Sequence, residues 1–223
     1  MVLFCDFTGV YGREGLAGYG DFIDVRQLSG TGMYVDEEAE RMIHARLAEK
    51  GGAHGYGIRF LDNGNYHYMT RILASFIKEP FDLITFDNHT DDKPPAFPGL
   101  RSCGSWRLDI RSENRMLKDS VLIQSMEDFE GCRGASELPL YISLDKDILS
   151  KDVLNTNWDQ GAMSEEELFS ALASLYESRR VIALDVCGED LPDASCEANA
   201  AFNKRLMERF DTDRTGVREN RPL

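Results

Sequence analysis

The chain of 223 residues contains no stretch approaching the ~18 consecutive apolar residues of a membrane-spanning helix. Its first ten residues, MVLFCDFTGV, carry no Lys or Arg, and Asp6 interrupts their only apolar run, so they do not read as a secretory signal. CxxC pairs are absent. Five cysteines at 5, 103, 132, 187 and 196 form an odd, scattered set and read as reduced thiols of a cytoplasmic protein. Positive charge is scarce: 25 Lys and Arg stand against 39 Asp and Glu, a formal net charge of −14. A surface that acidic repels phosphate backbones and anionic lipid, so nucleic acid and membrane are not expected partners. Histidine is rare, with four residues and none after His89. No repeat, low-complexity tract or interdomain linker is visible.

What is present is a globular composition, 42% apolar and 10% aromatic, in a length that suits one domain over residues 1–223. Strand-like and helix-like segments alternate. MVLFCDF (1–7) opens as a strand, and the Gly-rich segment 10–35 reads as a long loop with a short strand near Phe22–Val25. Asp36 caps a helix to about Lys50, stopped by Gly51-Gly52. A strand at 56–61 and a polar turn at 62–65 follow. The stripe Met69, Ile72, Leu73, Phe76, Ile77 then marks a helix ending before Pro80. FDLITF (81–86), 121–124, 140–144 and 181–186 are strand-like. Loop is expected between the first two of these, a helix follows the capping box at Ser164–Glu167, and another spans 194–210. The tail 211–223 reads as frayed. This alternation predicts the α/β class, a three-layer αβα sandwich with a mostly parallel sheet. In such sheets the chemistry sits at the carboxyl ends of the strands.

Two clusters fall at those ends. Asp87-Asn88-His89-Thr90-Asp91 follows FDLITF directly, and Asp145-Lys146-Asp147 follows LYISL. Residues two apart in an extended chain point the same way, so D-x-H-x-D and D-x-D each aim their side chains into one space. His67 follows the turn Asn63–Tyr66 and lies off the apolar stripe of the next helix. His44, on a polar helix flank, and His54, in a Gly-rich turn, read as ordinary surface residues. Four carboxylates converging without a cation would repel one another and be driven towards neutrality. Two divalent ions remove that conflict and can acidify a shared water. Six oxygen and imidazole donors suit Mn²⁺, with Zn²⁺, Fe²⁺ or Co²⁺ as alternatives.

The order His67 in G-N-Y-H-Y, then D-N-H-T-D at 87–91, then S-L-D-K-D at 143–147 resembles the metal-binding segments of the ureohydrolase superfamily (arginase, agmatinase, formimidoylglutamase). The resemblance spans roughly residues 56–190. It implies an arginase-like fold, two Mn²⁺ per chain, a small-molecule substrate and trimers or hexamers. One ion would take His67, Asp87, Asp91 and Asp145; the other would take Asp87, His89, Asp145 and Asp147, with Asp91 also orienting the attacking hydroxide. The chain departs from the family pattern in several places. Tyr66 replaces the aspartate of GGDHS, Ser150-Lys151 replaces the D-P after D-x-D, and no later histidine is left to shuttle protons. Gly188 stands where the guanidinium-binding glutamate is expected, with Glu189 one place late. Glu189 or Asp185 is the expected anchor for a cationic substrate end, and Trp106 and 155–160 are expected to line the pocket, although Trp158 reads equally well as a packing anchor. Cys103, Asp91 or a water chain is left to protonate the leaving amine.

The sequence therefore predicts a dinuclear metal-dependent hydrolase acting on a non-peptide C–N bond of a small linear amidine, amide or guanidino-type compound. A single-zinc deacetylase-like hydrolase and a non-catalytic metal-binding relative are the alternatives.

Overall fold

The protein is described by a computed structural model covering residues 1–52, 55–95, 97, 99–132, 136–191, 194 and 196–211. In chain order it runs β1 (Val2–Asp6), α1 (Val10–Arg13), β2 (Asp21–Asp24), β3 (Tyr34–Val35), α2 (Glu37–Glu49), β4 (Ile58–Phe60), α3 (Met69–Ala74) and β5 (Phe81–Phe86). It continues β6 (Arg101–Ser102), α4 (Trp106–Glu113), β7 (Leu117–Ile123), α5 (Met126–Gly131), β8 (Leu140–Asp145), α6 (Glu165–Ser178), β9 (Val181–Cys187) and α7 (Glu197–Phe210). Seven strands form one sheet in the order β2-β1-β4-β9-β8-β5-β7. Every pairing in it is parallel, so all seven carboxyl ends emerge at one edge. β3 and β6 form a separate antiparallel pair.

Side chains alternate across the sheet as period-two strands require. In β1, Val2 and Phe4 join one apolar layer while Leu3 and Cys5 join the other; in β8, Ile142 and Leu144 face opposite to Tyr141. The first layer is closed by Phe129 of α5, Leu168 and Leu172 of α6, and Phe202 and Leu206 of α7. The second is closed by Ile43 and Leu47 of α2, Ile72 and Leu73 of α3, and Trp106 and Ile110 of α4. This is the three-layer α/β arrangement expected from the sequence. Asp36 caps α2 by accepting from the Ala39 N–H at 2.8 Å, and Ser164 and Glu167 form a reciprocal capping box on α6.

Several elements differ from expectation. Residues 10–35 hold α1 and β3 besides the expected short strand. The expected loop between β5 and β7 contains β6 and α4, whose only buried apolar residues are Trp106 and Ile110, too narrow a stripe to mark a helix. α5 buries Phe129 alone and is signalled by its cap, Ser125 accepting from the Asp128 N–H at 3.3 Å. α3 ends at Ala74, and the chain tightens into i→i+3 bonds, Phe76 N–H to Leu73 O and Ile77 N–H to Ala74 O, both 3.2 Å. α7 begins three residues later than predicted, at Glu197. His54 and residues 212–223 lie outside the described residues. Among the described residues no helix is long and apolar enough to cross a membrane.

Candidate metal centre

Three parallel strands deliver the cluster. β5 ends at Phe86 and hands over Asp87, β8 ends at Asp145, and β4 leads through a 3₁₀ turn, Gly64–Tyr66, to His67. Asn63 opens that turn by accepting from the Asn65 N–H at 3.1 Å. The structure brings all six predicted ligand residues together. His67 Nδ1 lies 3.3 Å from Asp87 Oδ2, 3.3 Å from Asp91 Oδ2 and 3.2 Å from Asp145 Oδ2. His89 Nδ1 lies 2.7 Å from Asp147 Oδ2 and 3.8 Å from Asp87 Oδ1. Three groups among the described residues have metal-ligand spacing, and Asp87 belongs to two of them, His67–Asp87–Asp91 and Asp87–His89–Asp147. Asp145 joins from the His67 side, in a third group with Cys187.

The loops are held by their own carboxylates. Asp87 Oδ1 accepts from the His89 N–H at 2.6 Å, Asp147 Oδ1 from the Asn88 N–H at 3.0 Å, and Asp145 Oδ1 from the Asp147 N–H at 3.1 Å. Asp91 adopts a left-handed backbone at φ 47°, a conformation that costs a non-glycine residue on the order of 1 kcal/mol and is typical of functional sites. Gly188 packs so close that a Cβ there would stand 2.4 Å from Asp145 Oδ1, and its φ of +96° already favours glycine.

Electrostatics show what the cluster lacks. Burial, then the Asp91 and Asp145 charges, push Asp87 well above the ordinary carboxylate range; burial and Asp145 push Asp147 up to about 6. Burial works against a charged His67, yet Asp145, Asp91 and Asp87 together hold its pKa well above the ordinary imidazole value. Burial opposes ionisation of Asp145 too, but His67 outweighs it and holds that pKa low. The site therefore draws positive charge to its centre. His67 Nδ1 and Asp87 Oδ2 are both buried and make no hydrogen bond, although such atoms are nearly always satisfied in proteins. With two imidazoles and four carboxylates around those atoms, the donor set fits divalent cations.

Sequence reasoning missed the groups that orient this set. His67 Nε2 is 2.9 Å from Ser143 Oγ, which in turn is 3.2 Å from Thr70 Oγ1, so the ring is pinned with Nδ1 facing the carboxylates. The signal was available: Ser143 is two residues before Asp145 on the same face of β8, a polar residue in a strand that is buried throughout. Trp106 also plays a different part from the one expected. Its side chain is fully buried, stacks obliquely near His67, and donates Nε1–H to Asp91 Oδ2 at 2.6 Å, so it steadies a predicted ligand and does not line the pocket. Trp106→Phe is expected to weaken metal binding about 10- to 100-fold, read by titration of the chelated protein.

The expected substrate anchors are placed elsewhere. Asp185 is wholly buried within the sheet, accepting from Arg59 Nε at 2.6 Å and Tyr141 OH at 2.5 Å. Glu189 is equally buried, 2.7 Å from Lys146 Nζ, and accepts from Asn203 at 2.8 Å. Neither lines the cavity, because each is consumed by an internal cation. Asn203 also donates to Glu14 at 2.9 Å, and burial beside Glu189 pushes Glu14 up to about 9. Between its ordinary 4.5 and that value the folded chain keeps a proton that the unfolded chain has lost, so this group makes stability fall as pH rises. Glu14→Gln should flatten that slope, with equal melting at pH 5 and a higher melting temperature than wild type at pH 8.5.

A cavity of about 760 Å³ opens over the cluster, floored by Asp87, Asp91, Asp145 and Asp147. Trp158 of the predicted 155–160 stretch does line it, and also donates Nε1–H to Asn65 at 3.2 Å, so it serves both of its expected roles. Cys103 borders the cavity, but burial and then the Asp91 charge push its thiol up to about 12, so it stays protonated and is no nucleophile. Cys187, within ligand range of His67 and Asp145, donates to Asn63 O at 3.2 Å and is likewise kept a thiol by burial. His44 sits 3.7 Å from Glu40 on the far flank of α2, apart from the cluster.

No protein-family model matches the chain. A Thermotoga maritima protein described as uncharacterized is 28% identical over 206 residues, covering 84% of this chain and 79% of that one. Among solved structures, proclavaminate amidino hydrolase from Streptomyces clavuligerus is similar at TM-score 0.66 and 12% identity, over 94% of this chain and 89% of the other. Arginase from Bacillus subtilis gives 0.64 and 13%, over 94% and 96%. Formimidoylglutamase from Bacillus subtilis gives 0.62 and 12%, over 94% and 86%. These likenesses define the fold: the chain shares the three-layer α/β architecture of these hydrolases.

Proposed function

We propose that the chain is a dinuclear metal-dependent hydrolase of a non-peptide C–N bond in a small linear amide, amidine or guanidino-type compound. The observation that carries this reading is the pair of buried, unbonded atoms, His67 Nδ1 and Asp87 Oδ2, facing each other at 3.3 Å inside a ring of carboxylates. One ion would be held by His67, Asp87, Asp91 and Asp145, the other by Asp87, His89, Asp145 and Asp147, with Mn²⁺ the best match to this donor set. Divalent ions bound there would acidify a water and offset negative charge as a trigonal carbon becomes tetrahedral. Asp91, which accepts from Trp106, would take a hydrogen bond from the attacking water. Water then adds to the carbon, the C–N bond breaks and the nitrogen leaves with a proton. The thiols of Cys5, Cys103, Cys187 and Cys196 suit a reducing compartment, and we assign the protein to the cytoplasm.

The test is a screen of amide, formimino and guanidino compounds for amine or ammonia release, using protein stripped by chelator and reloaded with Mn²⁺. Release that needs the metal and disappears in His67→Ala supports the proposal. One tightly held zinc per chain would move the reading to a mononuclear deacetylase-like enzyme. Two ions with no turnover of any compound would make the chain a non-catalytic relative.

A further inference from the structure

The walls of the cavity differ in kind from its floor. Above the carboxylates they are built by Met33, Tyr34, Pro94, Phe97, Leu100 and Trp158. Six large apolar side chains are exposed among the described residues, and three of them, Met33, Tyr34 and Phe97, ring this one opening. Met33 is held there on a left-handed backbone, φ 62°, which a long unbranched residue rarely adopts. Trp158 meets His89 edge-on at 5.7 Å, so the apolar wall descends to the level of the ligands.

The charges in the lining are equally one-sided. Among the described residues, the only carboxylates lining the cavity are the four on its floor, and these are committed to the cluster. The neighbouring Asp92 is tied to Arg107 at 3.2 Å and Arg111 at 2.7 Å. Glu189 and Asp185, the acids that could have met a guanidinium or ammonium tail, are sealed against Lys146 and Arg59. Among the described residues the one Lys or Arg that lines the cavity is Lys93, which is exposed and whose ammonium makes no ion pair and no hydrogen bond with them. A cationic tail entering here would lose water to apolar walls with no acid to receive it, a costly transfer. An apolar tail gains from the same walls, and a tail ending in an anion finds Lys93.

From this we infer that the substrate is an amide-type compound with an apolar or aromatic body, neutral or anionic at its far end, held by the Met33–Tyr34–Phe97–Leu100–Trp158 wall and by Lys93. The inference rests on the metal-centre reading above and narrows it: a basic amino acid or polyamine derivative is excluded.

The test uses three hydroxamates of one shape, whose paired oxygens chelate the ions while the ring lies along the wall: benzohydroxamate, its 4-carboxy analogue and its 4-aminomethyl analogue. Each is titrated by calorimetry into Mn²⁺-loaded protein after the metal has been counted. The expected order is carboxylate tightest and aminomethyl weakest, about tenfold apart or more in Kd. Lys93→Ala should erase the advantage of the carboxylate and leave the neutral probe within about twofold. Phe97→Ala should weaken all three. If the aminomethyl probe binds tightest, the inference is overturned while the metal centre stands. If Phe97→Ala leaves every Kd unchanged and lowers the mass seen by light scattering, the rim is a contact with a second copy and the inference also falls. A chain that takes up no metal overturns the reading of the centre itself, and the metal count shows this before any probe is added.

Discussion

Asp87→Asn is expected to empty the whole centre, with metal affinity down by at least about 100-fold at both positions. Asp87 is the one carboxylate shared by the His67–Asp87–Asp91 and Asp87–His89–Asp147 groups, and a neutral amide supplies neither the charge nor the second donor oxygen that bridging needs. Elemental analysis after dialysis reads the effect, and retention of two ions per chain would refute the ligand assignment. A second signature separates loss of a ligand from general damage. Chelation should cost the wild-type protein stability, on the order of 4 kcal/mol where the ion stood at ~1,000 times its Kd, because binding only to the folded state adds to its stability. The variant should show no response to chelator. It should also melt above chelated wild type, since one member of a mutually repelling carboxylate cluster has been made neutral.

Asp185→Ala should destabilise the fold by about 3–5 kcal/mol without touching the metal ligands. Arg59 and Asp185 face each other across the β4–β9 pairing, 2% and 0% exposed, and the guanidinium also lies 4.7 Å above the Tyr141 ring. Removing the acid strands a positive charge inside the sheet and leaves Tyr141 OH only the longer bond to Thr70 O at 3.4 Å, and the loss is therefore larger than the worth of the pair itself. Urea unfolding with an unchanged m-value would measure it. Arg59→Met combined with Asp185→Leu should recover much of the loss, because apolar groups of similar volume need no partner there. A measured change below about 1 kcal/mol for the single variant would show that the pair is solvated and that Asp185 is available to a ligand.

The architecture and the convergence of the six candidate ligands were legible for the same reason. Strands such as FDLITF and LYISL are apolar throughout because both faces of a parallel sheet are covered, and the acids that follow them stand out against that background. What could not be read was the use made of polar groups inside the core. Asp185, Glu189 and Lys146 carry charges that a sequence assigns to surface or site, and only three-dimensional placement shows Asp185 paired with Arg59 and Glu189 with Lys146. Trp106 reads as a pocket residue because it follows the D-x-H-x-D loop, yet α4 turns it inward against His67 and Asp91. α4 itself was hidden because two buried apolar residues four apart produce almost no periodic signal.

The strand order also dictates when the centre can come into being during synthesis. β2, β1 and β4 pair with one another, β5 pairs with β7, and no ladder joins these two sets directly. The join is made by β8 and β9, the last two strands of this sheet in chain order, which slot between β4 and β5. His67 rides on one half-sheet and Asp87, His89 and Asp91 on the other, so a nascent chain cannot assemble the cage until residues 140–187 have emerged. On the proposed function metal capture would thus be a late event in biogenesis, and a chain stalled before β8 would leave the β4 and β5 edges without their partners.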